Sequence, residues 1–236
     1  MMPLHTITVG DFSKLIETGI ILPGDCVNVL NGERGFIDGI IARIQKKCLI
    51  DYSEDKKSDE HFALEDISYC AEFTHTAMIM NPLCIGELFY PKARCRTFID
   101  LIGNTIIIKR PRILPNIDAD VACSTVLNLI VDSFVEDVKN KVDYPTMELL
   151  YFYFRWYRKA TWKHKFAQLF KNKKNDVCSA RYVYAADHKA GIVCFRNKNE
   201  FNENKRANPE AWYPARMTIT AKMKTIGHYK LISSIQ

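Results

Sequence analysis

The sequence predicts an α+β protein: a short N-terminal helix with a small β-barrel, then a mixed α+β part holding two central helices and a C-terminal antiparallel sheet. Three observations carry that expectation. Apolar residues recur at helical spacing near the N-terminus and again around 123–138. Short β-like runs lie close together between 26 and 69. A further set of β-like runs follows residue 180. A chain of 236 residues has room for one large domain or two small ones, and the change of pattern divides it into 1–75 and 76–236.

The elements follow in order. In ITVGDFSKLIETG, Val9, Phe12, Leu15 and Ile16 share one helical face, and Gly19 suits the left-handed residue that ends a helix. After ILPGD come CVNVL (26–30), GFIDGIIARI (35–44), KCLIDY (47–52) and FALEDISY (62–69), all read as strands. Such short strands within about 50 residues suggest a small barrel. Further strands are expected at 76–80, 86–90 and 97–110, with a tight turn at Gly103-Asn104. A long helix follows, capped by Asn116, with Asp118 and Asp120 in its first turn and Lys139 and Lys141 in its last. Cys123, Leu127, Ile130, Val131, Phe134 and Val138 form its apolar stripe. A second helix starts near Pro145. Strands at 180–186, 191–195, 217–223 and 228–233 complete the chain.

The run from Leu15 to Gly24 has a helix end followed by Gly19, Ile20, Ile21, Pro23 and Gly24. This resembles the small module associated with restriction enzymes and adenine methylases, over roughly residues 6–70. The serine-proline element of that family is absent, with SEDKKSDEHF in its place. A Tudor- or agenet-like barrel fits the same strand pattern. Either resemblance implies a DNA- or chromatin-associated reader, and neither implies catalysis.

Charge is unevenly spread. Residues 1–70 carry 7 Lys/Arg and 12 Asp/Glu, residues 71–143 carry 8 and 9, and residues 144–236 carry 18 and 6. The last part is therefore net +12 on a chain of net +6, which points to a polyanionic partner. The stretch YFYFRWYRKATWKHKFAQLFKNKK (151–174) holds eight basic residues and no acid. Leu149, Phe152, Tyr153 and Trp156 have core spacing. Arg155, Arg158, Lys159, Lys163 and Lys165 line a flank, with Lys171, Lys173 and Lys174 beyond. Solvated helix faces usually mix both signs, because opposite charges four residues apart stabilise each other. An unmixed face suits phosphates, whose counterions are released on binding. Trp162 is the candidate for stacking on a base.

Other chemistry is sparse. Phe36, Tyr52, Phe62 and Tyr69 could converge as an aromatic cage for a methylated amine, beside the acidic loop SEDKKSDE. Lys109-Arg110-Pro111-Arg112 matches the short basic pattern of nuclear import signals. The eight cysteines show no metal-ligand spacing and read as reduced core thiols. No nucleophile-elbow, phosphate-loop, zinc-protease or dinucleotide motif occurs. No run is long and apolar enough for a membrane span, and the first residues lack signal-peptide character. The expectation is an intracellular, preferentially nuclear, non-enzymatic protein that binds DNA or RNA through its basic part, without cofactor, metal or membrane. Its acidic N-terminal half is free to meet a protein partner. The alternative is a chromatin-reader adaptor whose N-terminal barrel binds a peptide and whose basic half docks an acidic protein.

Overall fold

In the computed structural model, the described residues are 2–33, 35–56, 58–89, 92–112, 119–141 and 213–233. Their backbone builds one open seven-stranded sheet. In chain order the elements are β1 (His5–Thr8), α1 (Val9–Glu17), β2 (Cys26–Leu30), α2 (Phe36–Glu54), α3 (Leu64–Cys70), β3 (His75–Asn81), β4 (Cys84–Phe89) and β5 (Lys92–Thr97). A 3-10 turn (Phe98–Leu101), β6 (Thr105–Pro111), α4 (Ala119–Lys139), α5 (Pro214–Ile219) and β7 (Met223–Ile232) follow. The strand order is β1-β7-β6-β2-β3-β4-β5, with β1 parallel to β7 and all other pairs antiparallel. The sheet thus takes strands from both sides of residue 75. Among the described residues, no helix is long and apolar enough to cross a membrane.

The α+β class holds, but the expected barrel does not form. Residues 36–54 are a single helix that takes in the expected strands 35–44 and 47–52, and of 62–69 only Phe62 and Ala63 precede helix α3, which holds 64–69. Alternation had suggested strands because isoleucines crowd this stretch. The buried positions Ala42, Gln45, Cys48, Leu49 and Tyr52 instead recur every three or four residues, which is a helical stripe. Asp38 starts α2: its carboxylate accepts from Gly35 N at 3.3 Å and from Thr74 Oγ1 at 2.8 Å. At the other end of the chain, part of the strand expected over 217–223 is helix α5, and the strand begins at Met223.

Strand alternation splits the core in two. Val27, Val29, Ala77, Ile79, Ile85, Ile106 and Ile108 point to one face, where Phe12 and Ile16 of α1 and Phe98 and Leu101 of the 3-10 turn cover them. Phe12 meets Phe98 edge-on with ring centroids 5.0 Å apart. α1 forms as its spacing predicts. Thr8 Oγ1 accepts from Asp11 N, and Gly19 takes the left-handed conformation at φ 77°. On the opposite face, Leu49, Ile67 and Ala215 bring α2, α3 and α5 together, and Phe134 of α4 lies over Gly86.

The Ile20–Asp25 turn is locked to β6. Asp25 is fully buried and accepts from Leu22 N at 2.8 Å and from Arg110 Nε at 2.7 Å, while Arg110 Nη2 also reaches Ile20 O at 3.1 Å. Burial pushes the Asp25 carboxyl up, against the pull of the guanidinium. Arg110→Ala removes the counter-charge of a buried acid, so a loss of about 3 kcal/mol is expected in a urea unfolding titration. This clamp also bears on the import-like stretch 109–112. Lys109 is 3% exposed, Arg110 is engaged by Asp25 and Pro111 is buried, so these residues are sheet interior rather than an accessible linear signal.

Candidate active site

Sheet register assembles a cluster that no linear motif announces. Ala77 pairs with Glu87, so His75 and Glu87 fall on one face of β3 and β4. Glu87 pairs in turn with Arg94, and Ile85 with Arg96, so both arginines of β5 face Glu87. Glu87 is 0% exposed, accepts hydrogen bonds from His75 Nε2 at 2.8 Å and Arg94 Nε at 2.8 Å, and forms an ion pair with Arg96 Nη2 at 3.2 Å. Burial alone would push this carboxyl up. The hydrogen bond and charge of His75, with Arg96 and Arg94, outweigh burial and hold it below the usual carboxylate range.

An ionised carboxylate only accepts, so the ring nitrogen facing it carries the hydrogen. In the neutral form of the ring this places the hydrogen on Nε2 and the lone pair on Nδ1. The side chain of His75 retains 17% of its surface in contact with solvent, so the ring lies at the margin of the core and not within it. A histidine ring held by a buried carboxylate is one arrangement used in general-base catalysis.

The described thiols lie elsewhere. Cys26 pairs with Met78, Cys95 with Gly86 and Cys84 with Thr97, which turns all three to the face opposite Glu87. Cys48 and Cys70 are buried on α2 and α3, and burial pushes both thiols up to about 12. Lys109, on that same opposite face, has its ammonium group between Thr220 O and Thr225 Oγ1, each at 3.2 Å, and burial lowers it to about 8. Among the described residues, no group of three or more metal-ligating side chains converges.

The sequence-proposed aromatic set is only partly brought together. Tyr52 and Phe62 stack with centroids 6.1 Å apart. Tyr69 instead packs edge-on against Phe73 and shares a 2.9 Å hydrogen bond with His228. Phe36 is 85% exposed at the start of α2, and among the described residues no ring contact joins it to the other three. The cation over the Tyr52 ring is the protein's own Arg216, 4.1 Å from the centroid and fully buried. Acids of the neighbouring loop are engaged as well: Asp59 accepts from Tyr52 Oη and Lys222 Nζ, and Glu60 from Thr220 Oγ1 and Ala221 N. The basic candidates Arg155, Arg158, Lys159, Trp162, Lys163, Lys165, Lys171, Lys173 and Lys174 lie outside the described residues.

Sequence reading missed His75 and Glu87 because each is unremarkable alone. The available signal was a histidine entering one apolar strand (HTAMIM) and an acid within the next (GELF), twelve residues on. A charged residue inside an apolar strand is a rare burial that needs a partner. No family model matches this chain, and no curated protein or solved structure matches it either.

Proposed function

We propose that the chain is a thiol-dependent acyl-transfer enzyme, a hydrolase or transferase of amide or ester bonds, with His75 as general base and Glu87 as its orienting acid. The supporting observation is the 2.8 Å contact between His75 Nε2 and a carboxylate wholly removed from solvent. In this reading Nδ1 takes the proton of a thiol, the thiolate attacks a carbonyl, and the imidazolium returns the proton to the leaving group. Water or a second acceptor then releases the acyl group from sulfur.

Strand face removes Cys26, Cys84 and Cys95 from consideration and burial removes Cys48 and Cys70, leaving Cys123, Cys178 and Cys194. Asp118 and Asp120 precede Cys123, which disfavours a thiolate, and Cys194 sits in the apolar run GIVCF. Cys178 stands in NKKNDVCSAR, where Lys173, Lys174 and Arg181 outnumber the one nearby acid, Asp176, so the local charge favours the thiolate. Cys178 is the chosen nucleophile; its placement lies outside the described residues. The expectation of a non-enzymatic protein rested on missing motifs, and a pair joined only by strand register leaves none.

The test is alkylation of the intact chain by limiting iodoacetamide near pH 7, followed by peptide mapping. Cys178 is expected to react first, and His75→Ala should slow it by up to about 30-fold, toward the rate of an ordinary thiol that is only a few per cent ionised near pH 7. Equal labelling of several cysteines, or no effect of His75→Ala, would overturn the assignment.

A second reading is favoured by the charge of residues 144–236, net +12 with no acid between 149 and 175. It is that this part holds nucleic acid through phosphate contacts, which is compatible with an enzyme in the same chain. Binding to labelled DNA or RNA should then fall steeply with salt, and neutralising Arg158, Lys159, Lys163 and Lys165 together should flatten that slope by about three to four charges. Absence of binding at low salt would remove this reading and leave the first untouched.

A further inference from the structure

The outer hairpin carries two thiols behind the Glu87 cluster. Cys95 lies between Arg94 and Arg96 on β5, and Cys84 opens β4 three residues before Glu87. Because Cys95 pairs with Gly86 and Cys84 with Thr97, the two thiols share a face and stand one diagonal step apart. Gly86, opposite Cys95, brings no side chain of its own to this face, and the ring of Phe134 in α4 lies over it. Both cysteines are reduced; Cys95 is exposed and Cys84 half-buried. The thiols interact across the strands: burial first, then the adjacent Cys84 thiol, push the Cys95 thiol up.

We propose that Cys84 and Cys95 are a peroxide-sensitive dithiol, whose closure to a reversible disulfide displaces β5 and loosens the hold of Arg94 and Arg96 on Glu87. The chemistry balances with a hydroperoxide as oxidant. The Cys95 thiolate attacks the peroxide, the O–O bond breaks, and a sulfenic acid forms with release of water or an alcohol. The Cys84 thiol then displaces the hydroxyl group, forming S–S, breaking S–O and releasing a second water. The raised Cys95 thiol makes the first step slow at neutral pH and faster as pH rises. Exposure makes Cys95 the thiol that peroxide reaches, and the nearby Cys84 then captures its sulfenic acid before further oxidation.

The coupling to Glu87 is geometric. Diagonal neighbours on an antiparallel pair stand about 7–8 Å apart at Cα. A disulfide needs about 4.4–6.8 Å, so closure has to draw the strands together or slide one along the other. Among the described residues β5 is the edge strand and pairs with β4 alone, so it is the strand that closure displaces. Arg94 and Arg96 flank Cys95 on that strand and move with it. The strain also makes the bond easy to reduce, as reversibility requires. The dithiol chemistry stands apart from the proposed catalytic role of His75 and Glu87, and neither readout below requires activity.

The experiment treats the intact chain with hydrogen peroxide without reductant and follows intact mass, non-reducing peptide maps and the NMR signal of the Arg94 Nε proton, which faces Glu87 at 2.8 Å. Wild type is expected to lose two hydrogens, yield a linked Cys84–Cys95 peptide, shift the Arg94 signal, and recover on adding dithiothreitol. Cys84→Ser should accumulate a dimedone-reactive sulfenic acid at Cys95, and Cys95→Ser should block the link. Over-oxidation of Cys95 without a link, or a link between other cysteines, would overturn the dithiol. A Cys84–Cys95 link with an unmoved Arg94 signal would overturn its coupling to Glu87.

Discussion

Glu87→Gln is expected to slow the proposed acyl transfer by about 100- to 10,000-fold, and Cys178 alkylation by no more than about 30-fold, while leaving a folded protein. Glutamine has nearly the same shape, but it carries no charge to stabilise the imidazolium. Its amide can also present a donor to His75 Nε2, reversing the tautomer that places the basic lone pair on Nδ1. Arg94 and Arg96 both reach solvent, at 44% and 20% side-chain exposure, so they rehydrate in part when the carboxylate is lost. The variant should accordingly lose about 1–3 kcal/mol, less than removal of a counter-ion from two fully buried charges would cost.

The same substitution alters acid stability with a definite sign. The folded-state Glu87 carboxyl lies below its unfolded value of about 4.3. Its stabilisation is therefore complete above that pH and disappears as pH falls through the lower folded value. Wild type and Glu87→Gln should differ most in urea midpoint near neutrality and converge below about pH 4. A constant gap across that range would show that Glu87 is not the group being titrated.

The second large effect concerns Gly24, in the turn between α1 and β2. Gly24→Ala is expected to cost about 3 kcal/mol, combining left-handed backbone strain with a steric clash. Its φ is 88°, and an added Cβ would stand 2.6 Å from the backbone oxygen of Leu127 in α4. A helix backbone cannot swing aside as a side chain can. Gly19→Ala supplies the control, because φ is 77° there and no atom lies within 4 Å of the added carbon. It should cost only about 1 kcal/mol. Equal losses in the two variants would mean that α4 does not press on the Gly24 turn.

Local pattern was sufficient where a segment's own residues decide its state. In α1, the period of Phe12 and Ile16 and the left-handed Gly19 specify a helix and its end without reference to the rest of the chain. The apolar stripe of Leu127, Ile130 and Phe134 did the same for α4, and all three are buried. β2, β3 and β6 were legible because short apolar runs bounded by turns have few alternatives. α2 was not legible, since its isoleucines favour strands and Gly39 interrupts the helical pattern, and only packing against α3 and α5 decides for a helix.

By itself, then, the sequence determined the mixed α and β character, the helices with self-sufficient stripes, and the concentration of positive charge after residue 143. Tertiary structure alone decided that the sheet stays open, that Arg216 fills the face of Tyr52, and that His75 meets Glu87, Arg94 and Arg96. The reason is physical. A helical stripe is written within one segment, whereas register between strands is set by turns and by the face each strand buries. His75, Glu87 and the two arginines become neighbours only once β3, β4 and β5 have aligned.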